Sequence, residues 1–455
     1  MNDIIVALST PPGIGAVHIV RMSGRGSFSI ARHIVKTELP PHRTLGLYDI
    51  YDADGEVIDR ALVTVFKAPH SYTGEDMVEF HIHGNPVIAS ALISYIISLG
   101  ARMAEPGEFT KRALLGGKLT LSQVEALHEV IYGSNIESIK AATKAAMGAH
   151  IKEIEGIYED LLSVASAMKV DVDYPEDVEL EDYGYASRKD NFLHSLRSIY
   201  ERIEILKRRI TTGQKLAQGY KVVLVGAPNV GKSSLLNVIV GYERAIVSDI
   251  PGTTRDFIET VHMIGHVPVA LVDVAGIRQT ADEIESVGVE KAKKLAAEAD
   301  FLIWVIDATR KMTPDDMEIW NLFKNKISVI AVNKVDAIGE DGKDNWLSVL
   351  RQFGKKIIFV SATKNMGIEK LIEYISSTLS SYEYEPLYLS GRVLSLVNEA
   401  YELVREAIYL LETDMPEIAS INIERASGKV GAILGRADVS EDILDKLFST
   451  FCVGK

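Results

Sequence analysis

The chain has 455 residues, of which 47% are hydrophobic and 25% charged, a composition ordinary for a globular protein and enough for roughly two to four domains. Its 63 acidic residues against 49 basic ones leave a net charge of −14, which excludes a protein that simply coats nucleic acid. One cysteine excludes internal disulfides and fits a reducing cytoplasm, and no apolar segment approaches the about 20 residues of a membrane span.

In chain order, Ile4–Leu8 is too short for a signal segment and no basic stretch precedes it. In Phe80-His81-Ile82-His83-Gly84 two histidines share a strand face, which allows a metal site; without a third ligand nearby, a hydrogen-bonded structural pair is the simpler expectation. Residues 121–215 carry helical periodicity: Ile151, Ile154, Ile157 and Leu161, then Leu193, Leu196, Tyr200, Ile203 and Leu206. The acidic run Asp171 to Asp182, broken by Pro175, reads as a solvated loop between helices. Lys207-Arg208-Arg209 is either a local patch for nucleic acid or a basic turn at a helix end.

Val222 to Val225 reads as a buried strand and Ser234 to Val240 as the start of a helix. Between them lies Gly226-Ala227-Pro228-Asn229-Val230-Gly231-Lys232-Ser233, a phosphate-binding loop. Its backbone N–H groups and the helix N-terminus converge on phosphate, and the glycines admit close approach. Lys232 supplies charge to the β- and γ-phosphates and Ser233 a hydroxyl for Mg²⁺, with Asn229, Val230, Gly231 and Ser234 completing the nucleotide contacts.

Further apolar runs at Val269–Val272, Phe301–Ile306, Ile327–Val332 and Ile357–Val360 alternate with helical stretches, the pattern of a parallel sheet covered on both faces. The first leads into Asp273-Val274-Ala275-Gly276, whose carboxylate can hold Mg²⁺ through water and whose Gly276 N–H can meet the γ-phosphate. The third leads into Asn333-Lys334-Val335-Asp336, where the aspartate can accept two hydrogen bonds from guanine; adenine would leave it unpaired. The fourth leads into Ser361-Ala362-Thr363, whose backbone can meet the guanine O6. Together these predict a GTP-binding domain.

Ras-like GTPases carry a water-orienting glutamine after the Asp-x-x-Gly motif, but here that position is Ile277. Asn229 and the switch loop Ser248-Asp249-Ile250-Pro251-Gly252-Thr253-Thr254-Arg255-Asp256 offer a substitute: a monovalent cation where other systems place an arginine finger, with Arg255 the competing source of charge. Asp282, Glu283 and Glu285 are available to position water, and spacing does not choose among them.

Helical periodicity returns over 390–411, through Leu394, Val397, Tyr401, Val404 and Ile408. The nucleotide-binding domain is therefore expected as an insertion in a helical domain, with hinges at Gly213 to Tyr220 and Leu379 to Pro386. Cys452 is a nucleophile or a small buried hydrophobe.

The chain resembles the MnmE (TrmE) family of tRNA modification GTPases, in the TrmE-type TRAFAC class. The likeness rests on those motifs with Ala7-Leu8-Ser9-Thr10-Pro11-Pro12-Gly13-Ile14-Gly15-Ala16, Ile19-Val20-Arg21-Met22-Ser23-Gly24, Tyr72-Thr73-Gly74-Glu75-Asp76, Pro106-Gly107-Glu108-Phe109-Thr110-Lys111-Arg112-Ala113, Lys118-Leu119, Gln123-Val124-Glu125-Ala126 and the closing Phe451-Cys452-Val453-Gly454-Lys455. It departs from the family at Val274, where many members have threonine, and at Val453. The resemblance implies a multidomain chain: an α+β folate-binding and dimerisation domain at 1–119, an all-α helical domain at 120–216 and 380–455, and an inserted α/β Ras-like P-loop G domain at 217–379. It implies Mg²⁺ on Ser233 and Thr254, potassium on Asn229, Thr253 and the Ser248 and Ile250 carbonyls, and Glu285 orienting the hydrolytic water. It also implies 5-formyl- or methylene-tetrahydrofolate on Arg21, Glu79, Lys118 and Lys455, with Cys452 beside the one-carbon chemistry. The implied assembly is a homodimer whose G domains potassium draws together. With the FAD-dependent protein MnmG, in a heterotetramer or larger, it would modify C5 of the wobble uridine of certain tRNAs. The alternative is a ribosome-assembly switch, for which the acidic helical tail lacks a basic RNA-binding face.

Overall fold

Alternation of buried and outward side chains makes the amino-terminal sheet. The structure is a computed structural model and describes residues 3–173, 185–242, 261–273, 294–436 and 441–454. In β2 (Val17–Ser23), His18, Val20 and Met22 are buried while Val17, Ile19 and Arg21 point the other way. With β1 (Ile5–Leu8), β3 (Leu45–Tyr51), β4 (Val57–Phe66), β5 (Met77–His83) and β6 (Arg102–Met103), it forms a sheet of order β3-β4-β5-β2-β1-β6, antiparallel except for the β1–β6 pair. Helices α1 (Ser27–Val35) and α2 (Pro86–Ser98) cover one face, Ile30, Ile34, Leu92 and Ile96 joining a core with Val20, Met22, Phe80 and Ile82. The opposite face packs Ile5 and Ala7 against Phe109 of α3 (Glu108–Leu115), but leaves Leu45, Leu47 and Leu62 exposed.

The helical periodicity resolves into α4 (Leu121–Tyr132), α5 (Ile136–Ala146), α6 (Ile151–Asp173) and α7 (Tyr185–Gln218). Ile154, Ile157, Leu161, Leu193, Leu196, Ile203 and Leu206 are buried. The acidic run begins inside α6 at Asp171, which pairs with Arg188, and its later part lies outside the described residues.

The expected hinge at Gly213 is instead helix, since α7 runs to Gln218 and breaks only at Gly219, with φ 87°. Gly213 is small for another reason: an added Cβ would lie 2.4 Å from the Leu387 carbonyl oxygen. Lys207-Arg208-Arg209 is likewise mid-helix rather than at an end. Arg208 pairs with Glu204 and Glu383, and Arg209 Nε donates to the Glu385 carbonyl at 3.1 Å.

Next come β7 (Tyr220–Val225), α8 (Lys232–Tyr242), β8 (Val261–Ile264), β9 (Val267–Asp273), β10 (Phe301–Asp307), α9 (Pro314–Phe323), β11 (Ile327–Asn333), α10 (Glu340–Leu350), β12 (Lys356–Phe359) and α11 (Ile368–Leu379). The strand order is β12-β11-β10-β7-β9-β8, parallel except for β8–β9. All five expected strands are present within two residues, and both faces are covered. The edge strand β8 is additional; its signal is the two-residue Gly265-His266 hairpin turn, with Gly265 at φ 62°.

After α12 (Gly391–Glu412), α13 (Pro416–Ile433) packs along α6, and α14 (Glu441–Phe448) precedes the carboxyl end. The buried stripe of α12 is Val393, Val397, Ala400, Val404, Ala407 and Leu411, so Leu394, Tyr401 and Ile408 flank it half-buried. Two units result: Met1–His128 with Ala146–Tyr200 and Leu396–Lys455, and Glu129–Ala145 with Glu201–Ser395. The helical segments are thus shared between units. Asn135 Nδ2 donating to the Leu216 carbonyl at 2.7 Å and the Lys144–Glu385 pair tie α5 into the second. Among the described residues no helix is long and apolar enough to cross a membrane.

Candidate functional site

In the second unit, the chain after β7 turns to one side of the sheet through β8 and β9 and to the other through β10 to β12. The loop ending β7 therefore sits at the switch point, where open α/β sheets bind ligands. Gly226 is pressed against β10, where a Cβ would stand 2.4 Å from the Val305 carbonyl oxygen. Gly231, at φ 92°, leaves room for the Asn333 amide, which would lie 2.4 Å from an added Cβ. Buried Lys232 donates to the Gly226 and Ala227 carbonyls at 2.9 and 3.0 Å, which centres its ammonium in the loop. Ser233 and Ser234 are exposed in the first turn of α8, and the backbone of Asn229 is left-handed at φ 61°.

The corner after β11 is bonded to this loop. Asn333 Nδ2 donates to the Val230 carbonyl at 2.9 Å while its Oδ1 accepts from the Ala362 N–H at 3.2 Å. One buried side chain thus fixes the phosphate loop against the Ser361–Thr363 corner. Lys334, at φ 63°, donates to the Asn229 carbonyl at 3.0 Å and to Asp307 Oδ2 at 2.6 Å. Val335 is buried with its N–H on the Val360 carbonyl, and Asp336 is exposed, its carboxylate bonded to none of the described residues. Ser361 Oγ lies 3.2 Å from Thr363 Oγ1 and accepts from the Lys364 N–H. The structure thus brings together Asn229 to Ser234, Asn333 to Asp336 and Ser361 to Thr363. Ser248, Asp249, Ile250, Pro251, Gly252, Thr253, Thr254, Val274, Ala275, Gly276 and Glu285 lie outside the described residues, and Asp273 is described only as the last residue of β9.

In the amino-terminal unit, sheet register does what sequence distance hides. Arg21 of β2 stands directly across from Glu79 of β5, and its Nε and Nη2 both reach Glu79 Oε1 at 2.8 Å. Burial pushes the Glu79 carboxyl up. The hydrogen bond from His81, at 3.4 Å, and the Arg21 charge outweigh it and hold the group below its ordinary value. A cavity of about 480 Å³ opens on this pair, lined also by Arg43, Phe66, Tyr72, Met77 and Leu127. The carboxyl end closes in beside it: the Gly454 carbonyl accepts from Arg21 Nη1 at 3.2 Å and Ser9 Oγ at 3.1 Å. Cys452 is exposed, its carbonyl taken by the Gly107 N–H. Lys118 is exposed and lies along Gly74, outside the cavity lining, while Lys455 lies outside the described residues. His83 pairs with Asp59 at 2.6 Å, so the two histidines serve separate carboxylates; among the described residues there is no group of three metal-ligating side chains.

Arg43, Phe66, Met77 and Leu127 of the cavity walls were not singled out in the sequence, and neither was Asp307. Asp307 ends β10 beside Asn333, and that position at a strand's carboxyl end is the signal that marks it.

A phosphate loop at the switch point, bonded through an Asn-Lys-x-Asp corner to a Ser-Ala-Thr corner, defines a G domain of the P-loop GTPase class. The profile described as GTP-binding protein TrmE N-terminus matches residues 4–118, and that of the MnmE helical domain matches 121–452. The tRNA modification GTPase MnmE of Aquifex aeolicus is 41% identical over 463 residues, covering 100% of both chains. The protein of the same name from Pseudothermotoga lettingae is 35% identical over 460 residues, again covering 100% of both. Among solved structures, Aquifex aeolicus Era bound to GDP and aluminium fluoride is 31% identical over 40% of this chain and 66% of its own, with a TM-score of 0.29. The chain belongs to the MnmE family of tRNA modification GTPases.

Proposed function

We propose that this protein hydrolyses GTP to GDP and phosphate in a potassium-stimulated reaction. With the FAD protein MnmG, that cycle would drive addition of a carboxymethylaminomethyl-type group to C5 of the wobble uridine of certain tRNAs. The observation that carries the nucleotide reading is Asn333, bonded at once to the phosphate loop and the Ser361–Thr363 corner while Asp336 is left exposed for a base. In this reading Lys232 meets the phosphates, and the Asp336 carboxylate accepts from the guanine N1–H and amino group. The exposed Ser233 hydroxyl at the start of α8 suits Mg²⁺, which would offset phosphate charge; Thr254 and Asp273 would complete its shell. The Asn229 side chain is exposed and bonded to none of the described residues, as a potassium ligand beside the phosphates requires; Ser248, Ile250 and Thr253 would supply the remaining oxygens.

The amino-terminal cavity suits a one-carbon tetrahydrofolate. Its size is that of small-ligand sites, its lining mixes the apolar and aromatic Phe66, Tyr72, Met77 and Leu127 with the polar Arg43, His70 and Ser71, and the Arg21–Glu79 pair leaves carboxylate lone pairs to spare. The folate would supply the one-carbon unit, with Lys118 and Lys455 toward its glutamate tail and Cys452 two residues from Gly454. The homodimer is favoured by the exposed Leu45, Leu47, Leu62 and Val17 on the same sheet face as Arg21. A reducing cytoplasmic setting is part of the same reading.

Turnover of GTP in potassium against sodium tests the catalytic claim. The expected result is faster hydrolysis in potassium, with Glu285→Ala slowing it about 10²–10³-fold at nearly unchanged GTP affinity, as loss of a water-positioning base does. Equal, negligible rates in both salts would leave a nucleotide-binding scaffold. Modification of wobble uridine by the protein with MnmG, folate and GTP tests the rest.

A further inference from the structure

Lys334 and Asn229 are non-glycine residues in left-handed conformation, at φ 63° and 61°. Such backbones cost free energy and persist only where their surroundings over-determine them. Here one ammonium ties the two: Lys334 Nζ donates to the Asn229 carbonyl at 3.0 Å. What holds that ammonium is Asp307, whose Oδ2 accepts from it at 2.6 Å.

Asp307 is built for the task. Its side chain is 8% exposed, at the end of β10 and opposite Asn333 in the sheet register. The Ala308 N–H donates to the Asn333 carbonyl at 2.8 Å, which fixes the two strand ends together. Asp307 Oδ1 accepts from the Thr309 N–H at 2.9 Å and the Thr309 hydroxyl at 2.7 Å, which orients the carboxylate and aims Oδ2 at Lys334. Burial pushes this carboxyl up, and the hydrogen bonds from Lys334 and Thr309 outweigh it, so the group stays charged.

We infer that Asp307 is a positioning residue for guanine-nucleotide binding, acting through Lys334 to hold the phosphate loop and the base-recognition corner in their bound geometry. The inference rests on the guanine-nucleotide reading above. Without the carboxylate the ammonium loses its anchor, and the loop must be ordered at the expense of nucleotide affinity. Ground state and transition state are served alike, so the loss falls on KM rather than kcat.

Asp307→Asn isolates the effect. The two Thr309 donors hold the amide oxygen in the Oδ1 position, which turns the amide nitrogen, a donor, toward the Lys334 ammonium. Equilibrium binding of fluorescent GDP and GTP analogues to the full chain is expected to weaken about tenfold for both, the scale of a lost charge-assisted hydrogen bond, with kcat at saturating GTP within about twofold. In a Lys334→Ala background the same change is expected to add nothing. Thr309→Val, which removes one of the two donors that orient Asp307 but keeps the ion pair, is expected to weaken binding less than Asp307→Asn does. Should Asp307→Asn fold poorly, Asp307→Ser carries the same expectation. Unaltered nucleotide affinity in these variants would overturn the inference, and so would a loss that persists in full without Lys334. Equal affinity of the unaltered protein for ATP and GTP would sink the guanine reading itself, a result distinguishable from either.

Discussion

Asn333 makes two bonds that use both ends of its amide, nitrogen to Val230 and oxygen from Ala362, so a carboxylate, which cannot donate, could not replace it. Asp336 is its complement: it bonds to none of the described residues and faces solvent three positions on. That pairing makes Asp336 the sharpest single test of base choice. Asp336→Asn replaces one acceptor by a donor and sets it against the guanine donors, so GTP affinity is expected to fall by roughly two to three orders of magnitude. Xanthosine triphosphate, whose C2 oxygen accepts where guanine donates, is expected to bind the variant better than GTP does. Competition binding with both nucleotides checks it, and an unchanged preference for GTP would remove the role given to this carboxylate. These residues were legible because each motif is contiguous and follows its own apolar run. Arg21 and Glu79 were named only through the family resemblance, since spacing does not join them: they meet because β2 and β5 are neighbours in a particular register, a property of the sheet. Asp307 looked like any polar residue after a strand until Lys334 was found upon it.

Elements were read well where their pattern is internal and badly where a neighbour decides. The Val/Ile runs became β7, β9, β10, β11 and β12 because a strand buried on both faces leaves no other composition. Gly213 was misread because a glycine before a strand suggests a hinge, whereas its cause is a chain segment remote in sequence: Leu387, whose N–H bonds to the Arg209 carbonyl. Propensity alone would have Gly213→Ala stabilise α7 by about 1 kcal/mol. The new Cβ would stand 2.4 Å from the Leu387 carbonyl oxygen, and backbone on both sides cannot give way cheaply. Net destabilisation of about 1–2 kcal/mol is expected, seen as a lower melting temperature; a higher one would mean that Leu387 yields. In α12 likewise the period was right and the face displaced by a residue, since the alanines Ala400 and Ala407 complete the buried stripe while the larger Leu394 and Tyr401 flank it.

At the scale of the molecule, the two ends of the chain build one site while the middle builds the other. The nucleotide residues fall between Gly226 and Thr363, yet the carboxyl end lies beside the Arg21–Glu79 cavity, the Gly454 carbonyl accepting from Ser9 and from Arg21. The tail is fixed there by more than one bond: Val453 bridges Pro106, Phe451 is buried with its ring edge-on to His128 at 5.4 Å, and Gly454 sits at φ 94° where a Cβ would strike the Leu8 carbonyl at 2.5 Å. The partners of this terminus all belong to the amino-terminal unit, and one of them, Arg21, lines the cavity. Deleting residues 451–455 is therefore expected to weaken binding of a tetrahydrofolate at least tenfold, since Arg21 loses the acceptor that helps aim it and Lys455 goes with the tail. GDP affinity is expected to stay within about twofold, for none of the nucleotide-site bonds described above involves the tail. Gly454→Ala, a far smaller change, is expected to shift the folate affinity in the same direction through the Leu8 clash and the strain of a side chain at φ 94°. Titration of both ligands against each variant checks the pair of outcomes. Parallel losses of folate and nucleotide binding would show that the tail supports the whole fold, and undiminished folate binding would show that Arg21 and Glu79 hold no such ligand with its help.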